Sequence, residues 1–286
     1  HLAFLVTPQN WQAQVAYIQE MRAEISRLPE PKRLKANTIK FLTDGALSSG
    51  TAAMINPYLD NPESNGLKIW EDENLLAAIS AYDLLKFQVH IHAIGDGAIK
   101  QSLNTIEEMT KTNSEWDRRP VIVHAQLIEP GDLSRFKELD VIANFQPLWT
   151  YLDPMNKELI EPRIGSERNN RQYQLRTLLD LETKISFGSD WPVTSQKPLD
   201  AIFIPVLRKL PGSKSEPWSK NEAITVEESL TAYTATSAYQ LFDESEIGKL
   251  ETGMRANFVI LNKSPFETTS VEVKSVWIDG LEIKVS

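Results

Sequence analysis

A parallel α/β fold is predicted by three features of the sequence. Short apolar runs dense in Val, Ile or Phe alternate with stretches of helical period. Most of these runs close in a polar or glycine-bearing turn, as βα units do. The runs are apolar on both faces, which suits strands covered by helices better than half-solvated antiparallel ones.

The strands expected in chain order are Thr38–Leu42, Val89–Ala93, Val121–His124, Val141–Phe145 and Lys184–Phe187. Leu75, Leu76, Ile79, Leu84 and Leu85 mark a helix between the first two. Ile99, Leu103, Ile106 and Met109 recur at steps of four, three and three, and Leu133, Phe136 and Leu139 at steps of three, as helices packed on a sheet require. In TVEESL, Thr225 and Glu228 have the spacing of a capping box, which opens a helix running to about Leu241. After Gly248 the pattern changes to two strand regions, Ala256–Leu261 and Val271–Lys284, with a loop at Pro265 and a turn at Asp279-Gly280. No Gly/Ser linker or repeat intervenes, so the tail is expected to pack on the rest. The expected division is 1–245 for the α/β part and 246–286 for a small β portion. Pattern alone leaves a doubly wound sheet and a barrel equally open.

Composition narrows the function. A chain of 286 residues, 41% hydrophobic and 24% charged, can bury a sizeable core. Thirty basic against 39 acidic residues leave a net charge of −9, which argues against a nucleic-acid partner. No apolar run approaches the ~20 residues of a membrane span, so no membrane partner is expected. With no cysteine, disulfides and thiolate ligands are excluded, and any metal must be held by His, carboxylate or a modified lysine. The chain opens His1-Leu2-Ala3 without an initiator Met or a leader, so a C-terminal portion of a longer protein is expected, its compartment left open.

In parallel α/β proteins the chemistry gathers at the carboxyl ends of the strands. Polar residues close four of these runs: Lys40 and Asp44 in IKFLTDG, His90, His92 and Asp96 in VHIHAIGDG, His124 in VIVHAQ, and Asp190 in ISFGSDWP. Three of the four histidines lie in these segments. A single strand-end His is more often a hydrogen-bonded core residue than a ligand, but the grouping favours a site. His90 and His92 share a strand face about 6.5 Å apart, which suits a metal pair or one ligand beside a buried neighbour. His92 is favoured as nearer the strand's end. Lys40 must reach solvent, pair with a carboxylate or carry a modification. Asp190 suits either an N-cap or a cation-binding proton acceptor. Asp96 reads as the cap of a helix starting near Ala98, Asp44 as an organiser of the loop before Gly45, and Trp149, Tyr151 and Trp191 as packing or pocket lining.

These segments, in this order, resemble the amidohydrolase superfamily of metal-dependent hydrolases, and within it the branch containing N-substituted formamide deformylase. The matching stretches are IKFLTDGALSSGTA, VHIHAIGDGAI, VIVHAQLIEPGDLSRFKELDVIANFQPLWT, RIGSERNNRQYQLRTLL, ISFGSDWPV and the tail GKLETGMRANFVILN. The resemblance implies an incomplete TIM-type (β/α)8 barrel with a small C-terminal β-sandwich portion. It further implies Lys40, His92, His124 and Asp190 as metal ligands around one point, with Lys40 carboxylated in binuclear relatives. Asp190 and His124 are the implied catalytic pair: a divalent cation, zinc expected, activates water, Asp190 moves its proton to the leaving nitrogen, and His124 or the metal polarises the carbonyl. The substrate implied is a small-molecule amide of N-acyl or N-formyl type.

Three departures are legible. No His-x-His pair precedes Lys40, Val123 stands where an acidic residue usual in the family precedes the His, and Asn257 replaces the tail aspartate. The chain is therefore expected to be a fragment with an incomplete ligand set that holds metal weakly, and a homo-oligomer covering its open sheet edges is one outcome. The alternative is a non-catalytic regulatory relative, of the kind that governs exoenzyme production. A flavodoxin-like binding module would need a phosphate loop richer than Gly95-Asp96-Gly97.

Overall fold

In the computed structural model, which describes residues 1–29 and 34–284, the apolar runs pair in chain order as parallel strands. They are β1 (Ala3–Leu5), β2 (Thr38–Leu42), β3 (Gln88–Ala93), β4 (Val121–His124) and β5 (Ile142–Phe145). Lys40 lies opposite His90, Leu42 opposite His92, and Ala93 opposite His124. The crossovers are α1 (Trp11–Ser26), α2 (Asp72–Leu84), α3 (Asp96–Thr112) and the single turn α4 (Arg135–Glu138). The class is α/β of the barrel-forming parallel type, as expected, with a small antiparallel sheet in the tail.

The chain divides into two units. The first comprises 1–144, 154–174 and 180–184, and the second 145–153, 175–179 and the residues from 185 onward. In the first, alternate residues Ile39, Phe41, Val89, Ile91 and Ile122 are fully or nearly fully buried on one sheet face. The Phe41 ring lies tilted at 5.5 Å from Trp70 and edge-on at 6.5 Å from Tyr82, which meets Phe87 edge-on at 5.9 Å. Such ring pairs add about 0.5–1.5 kcal/mol each beyond area burial. The opposite face carries Lys40, Leu42, His90, His92 and Val123, all partly accessible.

The second unit holds β6 (Ile185–Phe187), whose neighbour Gly188 donates its N–H to the Phe145 carbonyl at 3.0 Å. Around it come α7 (Pro198–Ala201), α8 (Ile204–Leu207), α9 (Val226–Tyr233) and α10 (Ala235–Gln240), α5 (Glu161–Asn170) belonging to the first unit and α6 (Leu175–Asp180) falling at the division. The tail forms an antiparallel sheet of β7 (Phe258–Leu261), β8 (Val273–Ile278) and β9 (Leu281–Ile283). The Asp279-Gly280 turn has positive φ at both residues, 53° and 77°, as a two-residue hairpin demands. Asn257 Oδ1 accepts the Asp279 N–H at 2.8 Å, so the residue that departs from the family pattern braces this hairpin. No helix among the described residues is long and apolar enough to cross a membrane.

Three local expectations need correction, and two elements escape the sequence reading. Asp96 does not cap its own helix: Gly95 is the N-cap residue, and the Asp96 carboxylate instead accepts the N–H of Ile55 at 2.8 Å. The helix expected through Leu133–Leu139 is one turn, because Pro130-Gly131 opens it as a 3-10 turn. The capping box at Thr225 forms, yet the helix breaks at Thr234, which leaves helical φ/ψ while its hydroxyl bonds back to the Leu230 carbonyl at 2.8 Å. The second tail region folds as two strands either side of the expected Asp279-Gly280 turn. β1 and α1 were not anticipated: β1 spans three residues, too few for a period to show, and α1 buries only Trp11 and Ile18.

Candidate metal centre

β2 and β3 present Lys40, His90 and His92 on the same face, because Lys40 and His90 are register partners and strand side chains alternate with period two. His124 enters differently. It is the partner of Ala93, so strict alternation would send it to the face opposite His92. Its backbone is left-handed instead, φ 77°, followed by Ala125 at φ 43°. That breaks the alternation, and the His92 and His124 rings meet edge to face with centroids 4.6 Å apart. Two consecutive non-glycine residues with positive φ cost on the order of 1–3 kcal/mol each and persist only where surroundings over-determine them. Here a buried amide chain follows the turn: Gln126 Nε2 donates to Gln172 Oε1 at 2.5 Å, and Gln172 Nε2 to Asn169 Oδ1 at 2.6 Å.

The triplet Thr43-Asp44-Gly45 wraps the end of β3. Thr43 donates its N–H and its hydroxyl to the His92 carbonyl, at 3.1 and 2.6 Å. Asp44 is 3% exposed and accepts the N–H groups of Ala53, Ile94 and Gly95 at 3.0, 3.1 and 2.8 Å. The loop-organising role read for Asp44 in the sequence is thus present, and one further contact joins it. His92 Nε2 lies 3.1 Å from the Gly45 carbonyl and 3.4 Å from Asp44 Oδ1. Burial pushes the Asp44 carboxyl up to about 7, against the opposing pull of its three backbone donors. The signal that could have found this contact is the register, which sets the residue before TDG beside His92. Gly95 permits the close approach: a Cβ there would sit 2.1 Å from the Ala53 carbonyl oxygen.

His90 is bonded through Nε2 to Gln88 Oε1 at 3.1 Å. Burial, and then the Lys40 ammonium, push its pKa down to about 3, so it is a neutral ring beside a cation. Asp190 lies in the second unit just after β6. It is exposed, left-handed at φ 54°, and its carbonyl accepts the Val193 N–H at 2.8 Å. Trp191 is 65% exposed. The structure therefore brings His92 and His124 into contact, places Lys40 on their sheet face, and sets Asp190 at a strand end of the other unit.

The donor chemistry fits a borderline cation such as zinc in part. A catalytic zinc takes three protein ligands and an open position, and the first unit supplies two adjacent imidazoles. Among the described residues no group of three or more His, Asp or Glu side chains converges. Because the Gly45 carbonyl only accepts, the bonded Nε2 of His92 carries a hydrogen, and in the metal-binding neutral form of the ring Nδ1 bears the lone pair.

These features, Lys40 within β2 and His92 and His124 at the ends of β3 and β4, define the class as a parallel α/β scaffold with two imidazoles in contact at adjacent strand ends. The chain belongs to the amidohydrolase family, whose model matches residues 4–283. It is 33% identical over 83% of its length to Protein LONG AFTER FAR-RED 3 of Arabidopsis thaliana, covering 40% of that protein. It is 25% identical over 90% of its length to N-substituted formamide deformylase of Arthrobacter pascens, covering 47%. Among solved structures it superposes on an uncharacterized metal-dependent hydrolase from Pyrococcus furiosus with TM-score 0.73 and 30% identity, over 91% of this chain and 50% of that one. The chain thus spans less than half the length of these curated relatives.

Proposed function

We propose that the protein is a metal-dependent hydrolase that cleaves the C–N bond of a small-molecule amide, of N-acyl or N-formyl type, with water as nucleophile. The observation that carries this is the His92–His124 pair, two imidazoles 4.6 Å apart at adjacent strand ends, one of them held there by a left-handed backbone. The likeness to a formamide deformylase supports the choice of bond.

In this reading His92 and His124, with Lys40 on the His92 face of the sheet, would hold the cation, and Asp190 is the further ligand that the family resemblance implies. A divalent ion bound there, zinc by the preference of imidazole and carboxylate donors, supplies Lewis acidity that makes water nucleophilic near neutral pH. With the cation bound, Asp190 would take the proton from the attacking water and return it to the departing nitrogen, and His124 or the metal would polarise the carbonyl oxygen. The acyl carbon gains the hydroxyl and the nitrogen gains the hydrogen, so the step balances with water alone.

The test is turnover by the full-length protein of a panel of formamides and N-acyl amino acids, with zinc, manganese or iron(II) supplied in turn. Asp190→Asn is expected to lower kcat by about 10²–10⁴-fold, the usual weight of a positioned proton carrier. Absence of turnover with every metal overturns the hydrolase reading in favour of a regulatory relative.

A further inference from the structure

Four backbone or side-chain groups from one triplet converge on the end of β3, and two of them stand beside a ring the proposed function uses. Asp44 is anchored by three N–H donors from two different segments, the 46–55 loop through Ala53 and the β3–α3 turn through Ile94 and Gly95. So tied, its carboxylate has little freedom to follow a moving partner. Its Oδ1 stands 3.4 Å from His92 Nε2, and the next residue's carbonyl stands 3.1 Å from the same nitrogen. Both groups lie on the Nε2 edge of the ring: the carbonyl takes the hydrogen bond, and the carboxylate adds its field beside it.

From this geometry we infer that Asp44, with the Gly45 carbonyl, is a positioning residue for His92: together they fix its Nε2–H tautomer and ring orientation, which leaves Nδ1 as the nitrogen that would take a cation. This rests on the reading of His92 as a ligand. The physical basis is general. A ligating imidazole whose other N–H is held by a carboxylate or carbonyl is locked in one tautomer, and the pull on that proton makes the coordinating nitrogen more basic. Asp44 does not touch the cation; it acts through the ring. The loop anchored by Ala53 belongs to the same device, because the Ala53 carbonyl accepts the Gly97 and Ala98 N–H groups at the start of α3, at 3.0 and 3.2 Å. The carboxylate is thereby referenced to α3 as well as to β3.

The experiment is two-bond proton–nitrogen NMR on the metal-free full-length protein carrying ¹⁵N-histidine, with His92 assigned by the resonance lost in His92→Gln. Wild-type His92 is expected as the Nε2–H tautomer with that proton slow to exchange. Asp44→Asn, which keeps shape but removes charge, is expected to move the Nε2 proton resonance and to weaken zinc binding, read by competition with a chelating dye, by about 10–100-fold. Asp83→Asn serves as the control. It is another buried carboxylate of the first unit, held by Arg118, Trp116 and Asn113, and is expected to lower Tm while leaving the His92 resonances in place. An Nδ1–H tautomer or a fast-exchanging Nε2 proton in the wild type overturns the inference even if Asp44→Asn does not fold. An equal shift in both variants overturns it as well. The expected tautomer together with no zinc binding by the wild type leaves the positioning geometry standing and instead removes the metal reading.

Discussion

At the scale of single residues, burial and close approach set the outcomes. Gly95→Ala would drive a Cβ to 2.1 Å from the Ala53 carbonyl, a backbone atom that α3 holds, whereas a Cβ on Gly131 meets nothing within 4 Å. Thermal unfolding is therefore expected to show Gly95→Ala destabilised by about 1–3 kcal/mol, and Gly131→Ala near wild type. Asp96 gives a pH signature. Burial raises its pKa above the ordinary 3.8, opposed chiefly by the Ile55 N–H. A carboxyl with a raised folded pKa binds more protons folded than unfolded, so its contribution is full below 3.8 and declines as pH rises toward the folded value. Asp96→Asn keeps an acceptor for Ile55 without the charge. Its stability relative to wild type is expected to increase as pH rises from below 3.8 toward neutrality, measured by denaturant titration across that range; a difference independent of pH would count against the assignment.

At the scale of elements, two fastenings stand out. The reciprocal pair of bonds between Thr225 and Glu228, 3.1 and 2.7 Å, starts α9. Thr225→Ala is expected to cost about 1 kcal/mol, seen as a lowered Tm with unchanged denaturant slope. In the first unit Asp83, 1% exposed on α2, takes bonds from Arg118 Nε at 2.8 Å, Trp116 Nε1 at 2.7 Å and Asn113 Nδ2 at 2.8 Å, so it ties the end of α3 and the approach to β4 back onto α2. Asp83→Ala strands the Arg118 guanidinium, whose side chain is 10% exposed, and is expected to cost about 3–5 kcal/mol in chemical unfolding. That is several times the cost of the exposed cap, because the partner left behind is a buried charge.

For the whole molecule, family membership accounts for the parallel sheet with alternating helices. It does not explain the apolar surface of the tail sheet. Leu281 and Ile283 on β9 are 70% and 43% exposed, and β9 is an edge of its sheet among the described residues. An exposed apolar edge strand is a template for pairing with another chain. Sedimentation of this chain is expected to show concentration-dependent association that Leu281→Lys reduces without lowering Tm; a monomer at all concentrations would dismiss it.

The strands from Thr38 to His124 and the α2 and α3 faces were legible from periodicity, since burial on a sheet imposes spacings of two and of three to four that a linear string displays. Lys40, His92, His124 and Asp190 were legible as candidates for the same reason, because a polar residue closing an apolar run is visible wherever it points. What periodicity misplaces is His124. Its alternation puts it on the wrong face, and a left-handed backbone, followed by a buried amide network, brings its ring to His92. The contact of Asp44 and Gly45 with His92 joins residues 47 or 48 positions apart through a parallel register that involves no local sequence signal. Local spacing encodes which face is buried, while contacts across strands are settled when the chain packs.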